Sequence, residues 1–419
     1  MQRVFVLSSD REPLDPCHPA RARKLLKQGR AAVLRKWPFT IILKDRTVAE
    51  SVTHPHRVKI DPGSNTTGLG VVQEQTGEVV WAAELEHRGQ QIKHRMTSRR
   101  QLRRARRGRK CRYRKPRFDN RASSRRKGRL PPSLQSRVEN VSTWVERLRR
   151  YCPVEALSLE LAKFDTQRME NPEISGVEYQ QGELAGYEVR EYLLEKWGRK
   201  CAYCGAENVP LQIEHIVPKA RGGSDRVSNL AISCGPCNQE KGSCTAEEFG
   251  HPEVQAQARK PLKDAAVLNA TRWVLFRRLQ AIGLPLEIGT GGRTKYNRTQ
   301  LGLPKAHWTD AVCVGELGEQ VRVPPGLVPL QIRATGHGRR QRCGTDKYGF
   351  PIRHAPGAKK FRGWQTGDIA KAVIPKGKYA GVHVGRVAIR HRLSFRLNGI
   401  DVHPKYLELV QRADGYAYS

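Results

Sequence analysis

Along the first ninety positions, short apolar runs alternate with polar breaks marked by Gly and Pro, a pattern that predicts strands. RVFVL (3–7) reads as a strand, EPLDPCHP (12–19) as a turn, and Ala20–Gln28 as a basic helix stopped by Gly29. AAVLRKWPFTIIL (31–43) predicts one or two further strands. HRVKID (56–61) then passes through a tight turn, PGSNTTG (62–68), into LGVVQ (69–73), and a hairpin at Gln75–Gly77 leads to EVVWAAEL (78–85).

Further on, Leu134–Arg150 reads as a helix and VEALSLELAKFD (154–165) as a buried strand carrying an acid. GELAGYEVREYLLEKWG (182–198), the region around 262–282 and KAHWTDAVCVGEL (305–317) read as helices. Beyond about 325 the chain is β-rich and punctuated by Gly, and GDIAKAVIPKGKYAGVHVGRVAIR looks like the strand set of a small SH3-like barrel. No internal repeat is visible. These elements predict an α/β multidomain chain, consistent with 419 residues of which 38% are hydrophobic.

Charge changes the picture most. Lys and Arg total 76 against 40 acids, a net charge of +36 that points to a polyanion, most directly nucleic acid. Residues 88–129 alone hold 20 Lys and Arg and one acid, Asp119. A helix cationic on every face repels itself unless phosphates surround it, so this internal run predicts a strand-hugging role rather than a solvated tail. Tyr113 and Phe118 could add base stacking. An anionic membrane surface is the rival, but no amphipathic helix with a clean apolar face carries the charge. No apolar run approaches the ~18–20 residues of a membrane span, and MQRVFVLSSDREPL predicts no signal peptide.

Of the ten cysteines, Cys201/Cys204 and Cys234/Cys237 form two Cys-x-x-Cys pairs 29 residues apart, while 17, 111, 152, 244, 313 and 343 are scattered. Without a secretion signal this spacing predicts metal rather than disulfides, a closed four-thiolate zinc site with no position for water, and a reducing compartment. Between the pairs, a strand ending in Glu214-His215, a loop reaching Asn229, and a helix carrying Asn238 and Lys241 predict a ββα arrangement. Its chemistry suits phosphodiester hydrolysis. His215 can deprotonate a water, Glu214 and Asn238 offer hard oxygens to Mg2+, and Lys241 is placed to meet phosphate. The set EHIVP…GG…SNL…CGPCNQEK resembles an HNH endonuclease domain over roughly 195–250. That resemblance implies His215 as general base, Glu214 and Asn238 as metal ligands and Asn229 as loop brace. Glu stands where some relatives carry Asp.

A second carboxylate set accompanies it. Asp61 ends VKID before a Gly-rich hairpin expected to leave room for a phosphate, and Glu160 lies in a buried strand where an unpaired charge is costly. His307 and Asp310, three apart, share a helix face. Together these could hold two Mg2+ ions for in-line attack. The order strand-Asp-Gly-hairpin, strand-Glu, helix His-x-x-Asp resembles the split RuvC domain of RNase H-like nucleases. With an arginine-rich stretch after the first piece and an HNH insert before the last, the chain resembles the transposon-encoded IscB nucleases, compact relatives of type II CRISPR effectors. EPLDPC sits where that family carries Pro-Leu-Met-Pro, with Asp15 in place of Met.

The resemblance implies a basic N-terminal α/β domain (1–52), RuvC segments at 53–87, 130–182 and 251–325, a bridge-helix region at 88–129, an HNH domain with its connecting helix at 183–250, and a β-rich C-terminal domain (326–419) reading a short target-adjacent DNA motif. It implies a monomeric ribonucleoprotein of the prokaryotic cytoplasm, associated with the nucleoid when bound to DNA. A noncoding guide RNA pairs with one strand of double-stranded DNA, HNH cuts that strand, and RuvC the displaced one, with Mg2+ at both sites and structural Zn2+. Arg99, Arg100, Arg103, Arg104, Arg106, Arg107, Arg109, Lys110, Arg112 and Arg114 are the expected nucleic-acid contacts. Two rivals stand beside it. A protein-guided HNH homing or restriction endonuclease leaves Asp61, Glu160 and Asp310 without a job, and a basic RNA-binding zinc protein leaves His215 and the carboxylates incidental.

Overall fold

A computed structural model describes residues 1–108, 130–161, 185–207, 209–260, 265–337, 343–347, 350–354, 360–390 and 394–419. The chain begins with β1 (Val4–Leu7), β2 (Pro13–Cys17), α1 (Pro19–Lys27), β3 (Ala31–Arg35) and β4 (Thr40–Leu43), a sheet of order β2-β1-β4-β3 around Val4, Val6, Leu14, Ala22 and Ile41. Here the expected turn at 12–19 is instead a strand, β2. It lies at the sheet edge, where Pro13 and Pro16, lacking N–H groups, leave no interior ladder bond unmade.

The central sheet has the order β11-β8-β5-β6-β7-β12-β20. β5 (His56–Pro62), β6 (Thr66–Gln73) and β7 (Val79–Glu86) form an antiparallel meander. α2 (Gly89–Gly108) and α3 (Pro132–Arg149) follow, and β8 (Val154–Glu160) returns parallel beside β5. β5 and β8 are buried along their centres, Lys59 and Ser158 included, because helices cover the sheet. On one face α3 packs with α7 (Ala265–Gln280), and Trp81 stacks on Trp144 at 6.0 Å among Val58, Ile60, Leu148, Leu159 and Leu275.

Between β8 and α7 the chain leaves the sheet. α4 (Ala185–Lys196) leads to the antiparallel pair β9 (Leu211–His215) and β10 (Leu230–Cys234), then α5 (Gly235–Lys241) and α6 (Pro252–Arg259), which enclose their own core of Tyr192, Leu193, Leu211, Ile216 and Ile232. After α7, β11 (Leu286–Gly289) pairs parallel with β8. α8 (Gly291–Gln300) and α9 (His307–Val312) follow, and α9 lies on β5 and β6. α9 is shorter than the expected 305–317 helix, because Gly315 takes a left-handed φ of 78° and the chain turns away.

The last segment starts and ends in the central sheet: β12 (Leu330–Ala334) runs parallel to β7, and β20 (Tyr416–Tyr418) antiparallel to β12. Between them lie the short pair β13 (Cys343–Thr345) and β14 (Pro351–His354). A five-stranded antiparallel sheet follows, of β15 (Ile369–Ile374), β16 (Gly381–Ile389), β17 (Phe395–Leu397), β18 (Ile400–Val402) and β19 (Leu407–Gln411), in the order β18-β17-β16-β15-β19. Among the described residues no helix is long and apolar enough to cross a membrane.

Candidate active sites

Cys201 and Cys204 lie in the turn after α4, Cys234 ends β10, and Cys237 lies in the first turn of α5. Their four sulfurs lie within 4.8 Å of one another, and Cys204 Sγ stands 3.7 Å from Cys234 Sγ. A thiolate tetrahedron around Zn2+ with bonds of about 2.3 Å has edges of about 3.8 Å, so the donor set fits zinc. Burial and the neighbouring thiols push the Cys237 thiol up, a crowding that a divalent cation relieves. Cys244, nearby in sequence, stays exposed.

β9 carries Glu214 and His215 to opposite environments. Glu214 is 6% exposed; its Oε2 accepts from the Tyr203 hydroxyl at 2.5 Å and its Oε1 meets Lys241 Nζ at 2.5 Å. Lys241, 1% exposed, also donates to the His215 carbonyl at 2.9 Å. This corrects two expectations. Lys241 faces the module's interior rather than a phosphate, since its charge is neutralised by Glu214 where water cannot reach. Glu214 spends its oxygens on these partners, while Asn238, on the surface, donates Nδ2 to Gln212 Oε1 at 2.8 Å. The expected Glu214–Asn238 magnesium pair is therefore not assembled.

His215 is part-exposed, and its Nε2 lies 2.8 Å from Asp225 Oδ1. Asn229 immediately precedes β10. Its Oδ1 accepts from the Val217 amide at 2.9 Å, and its Nδ2 donates to Val217 O at 3.0 Å and Ser224 O at 2.9 Å, closing the loop between β9 and β10.

The second set converges at one end of the central sheet. β5 and β8 are adjacent and parallel with Ile60 opposite Leu159, so the following residues, Asp61 and Glu160, lie at the same end of neighbouring strands. α9 brings His307 Nδ1 to 3.5 Å from Asp61 Oδ2, and Asp310 Oδ1 meets Arg298 Nε at 2.7 Å. Burial and then Asp61 push the Glu160 carboxyl well above the ordinary carboxylate range; burial and Asp61 also raise Asp310, against Arg298. The hydrogen bond to Asp61 raises His307. Glu160 and Asp310 are thus both raised beside Asp61, a crowding of negative charge that a bound cation would relieve. The glycines serve differently from the expectation of a phosphate cradle. A Cβ on Gly68 would stand 1.8 Å from the His307 carbonyl oxygen, so the bare backbone makes room for α9.

Residues 4–182 match the RRXRR protein family and residues 201–252 an HNH endonuclease family. The chain thus carries an RRXRR region followed by an HNH endonuclease domain, a likeness to IscB/Cas9-like nucleases. Among solved structures it is similar to Streptococcus thermophilus Cas9 in complex with the GGAA PAM (11% identity over 61% of this chain and 32% of that one, TM-score 0.23). It is also similar to the type II-C Cas9 of Actinomyces naeslundii (20% identity over 45% and 30%, TM-score 0.16). The chain thus spans about a third of the length of these structures. No curated protein matches it.

Arg99, Arg100, Arg103, Arg104 and Arg107 are exposed on α2, a helix without an acidic residue. Arg106 lies on the same helix, and Arg109, Lys110, Arg112, Arg114, Tyr113 and Phe118 lie outside the described residues. Sequence reasoning missed Asp225, Tyr203, Arg298 and Thr294, the last of which hydrogen-bonds Glu160. Arg298 and Thr294 belong to α8, whose GGRTKYNRTQ has no apolar stripe; Thr290, which caps it by accepting from the Arg293 amide, was the available signal.

Proposed function

We propose that the chain is an RNA-guided DNA endonuclease. A noncoding guide RNA pairs with one strand of a double-stranded target beside a short adjacent motif, the HNH module cuts the paired strand, and the carboxylate site cuts the displaced one. The observation that carries this reading is position. The HNH module lies in the chain between β8, which ends in Glu160, and α9, which bears His307 and Asp310, so one chain nests one candidate cutting site inside another. Two sites match two strands. The exposed arginines of α2 support the guide's place, since an RNA–DNA hybrid is held through its A-form backbone.

On this reading the central sheet is the RNase H-like (RuvC) core, β9–β10–α5 the ββα unit, and the five-stranded C-terminal sheet the reader of the adjacent motif. Asp61, Glu160 and Asp310 would hold Mg2+, which when bound stabilises charge on the attacking and leaving oxygens. Arg298 orients Asp310, and Asp61 orients His307 at the rim. In the HNH module His215 takes the proton of the attacking water.

The test starts with protein expressed alongside the DNA that flanks its gene. One abundant bound RNA is expected, and purification without any defined RNA would overturn guidance. On supercoiled target, His215→Ala should leave only a displaced-strand nick and Asp61→Ala only a paired-strand nick. Double-strand cutting that persists in either variant removes that site from the proposal.

A further inference from the structure

The HNH reading puts the base at His215, and any role for the groups around that ring rests on it. The acid that precedes it in sequence, Glu214, is turned into the module's interior. The acid that meets the imidazole comes from the loop: Asp225 Oδ1 stands 2.8 Å from His215 Nε2. An ionised carboxylate only accepts hydrogen bonds, so the proton of this contact belongs to Nε2 and the lone pair of a neutral ring to Nδ1. Asp225 is kept ionised by Lys219, whose Nζ is 2.9 Å from Oδ2.

The loop is built to deliver this residue. Asn229 ties the Val217 amide and carbonyl to Ser224 O, the carbonyl immediately before Asp225. Gly223 passes so close to Val217 that a Cβ would stand 1.7 Å from its carbonyl oxygen. On the other side, Lys241 holds the His215 carbonyl at 2.9 Å. The histidine is thus held by its backbone from α5 and by its ring from the loop.

We propose that Asp225 is the positioning residue of the HNH base: it holds Nε2–H so that Nδ1 faces the water to be deprotonated, and Asn229 acts on catalysis through it. No bond to substrate is assigned to Asp225. Its action is orientation and choice of tautomer.

The experiment uses the zinc-loaded full chain with ring-15N histidine at pH 8, where an ordinary imidazole is neutral. The His215 signals are assigned by their loss in His215→Gln. Wild type and Asp225→Asn, whose carboxamide oxygen still accepts, should show the Nε2–H tautomer, and Asp225→Ala a mixture. Bound zinc and Tm should not change, since the Asp225 side chain is 51% exposed. An Nδ1–H tautomer in wild type, or an unchanged tautomer in Asp225→Ala, would overturn the proposal. In the complex with co-purified RNA, paired-strand nicking should fall about 10- to 100-fold in Asp225→Ala and recover most of the way in Asp225→Asn. Undiminished nicking by Asp225→Ala alongside a shifted tautomer also overturns it. If wild type makes no guided nick at all, the functional reading fails while the tautomer result still decides the role of Asp225.

Discussion

The four-cysteine module gathers its chemistry from one stretch between Cys201 and Lys241, whereas the carboxylate site draws Asp61, Glu160, Arg298, His307 and Asp310 from four elements of the central domain. The difference shows in how each holds its polar groups. The module is small and spends side chains as braces: Asn229 closes the loop, and Tyr203 and Lys241 lock Glu214 inside. The sheet obtains placement from register, since adjacent parallel strands set Asp61 beside Glu160 without a brace between them. The cost is burial and then like-charge crowding, visible in the raised Glu160 and Asp310.

The comparison breaks most readily at the cysteines. Apparent zinc binding to small structural sites reaches about 10–16 kcal/mol, and most of it is folding energy of the site. Cys204→Ser, or exhaustive chelation, should therefore strip hydrogen-exchange protection from β9, β10 and α5 while β5, β6 and β8 keep theirs. Equal loss in both regions would mean that the module and the sheet fold as one unit. Retained protection throughout would mean that the apolar core of Tyr192, Leu211 and Ile232 suffices.

Next in size is the buried pair. Glu214 and Lys241 have side chains 5% and 0% exposed, so removing one partner strands the other charge away from water. Glu214→Leu or Lys241→Met alone should cost about 3–5 kcal/mol, and the two together should recover most of it. Denaturant melting of the four proteins measures the coupling. Additive losses would return Glu214 to the ligand role expected from the sequence.

The same contrast explains how much could be read in the sequence. The cysteine pairs, His215 and Asn229 were legible because a local motif prints its spacing in the chain. Asp61, Glu160, His307 and Asp310 were legible only as an order of elements, and their convergence needed the β5–β8 register. The inward turn of Glu214 was invisible, because Gln212 and Ile213 are exposed and Glu214 buried in the same short strand, against simple alternation. α8 was invisible because its interior face is polar: Thr294, Asn297 and Arg298 are buried where a helix ordinarily shows Leu or Val. β2 was misread because two prolines mark turns more often than edge strands.

The smallest expected effect lies in the sheet, where a neutral histidine replaces the braces used in the module. His87 Nε2 pairs with Thr67 Oγ1 at 2.8 Å, and Asn140 Nδ2 lies 3.4 Å from its Nδ1. Burial, with Arg137 and His307 adding positive charge, lowers it to about 3 from an ordinary value of 6.5. The folded state therefore binds fewer protons than the unfolded one. The contribution is full above about pH 6.5 and is lost as pH falls toward the folded value, by up to about 1.4 kcal/mol per pH unit. His87→Gln keeps polar atoms near Thr67 but cannot gain a proton, so its stability should fall less steeply between pH 6 and 4 than wild type. Melting at fixed salt across that window reads the difference in slope. Parallel slopes would place the acid sensitivity elsewhere, in the carboxylates of the neighbouring site rather than in the histidine that supports β6 and β7.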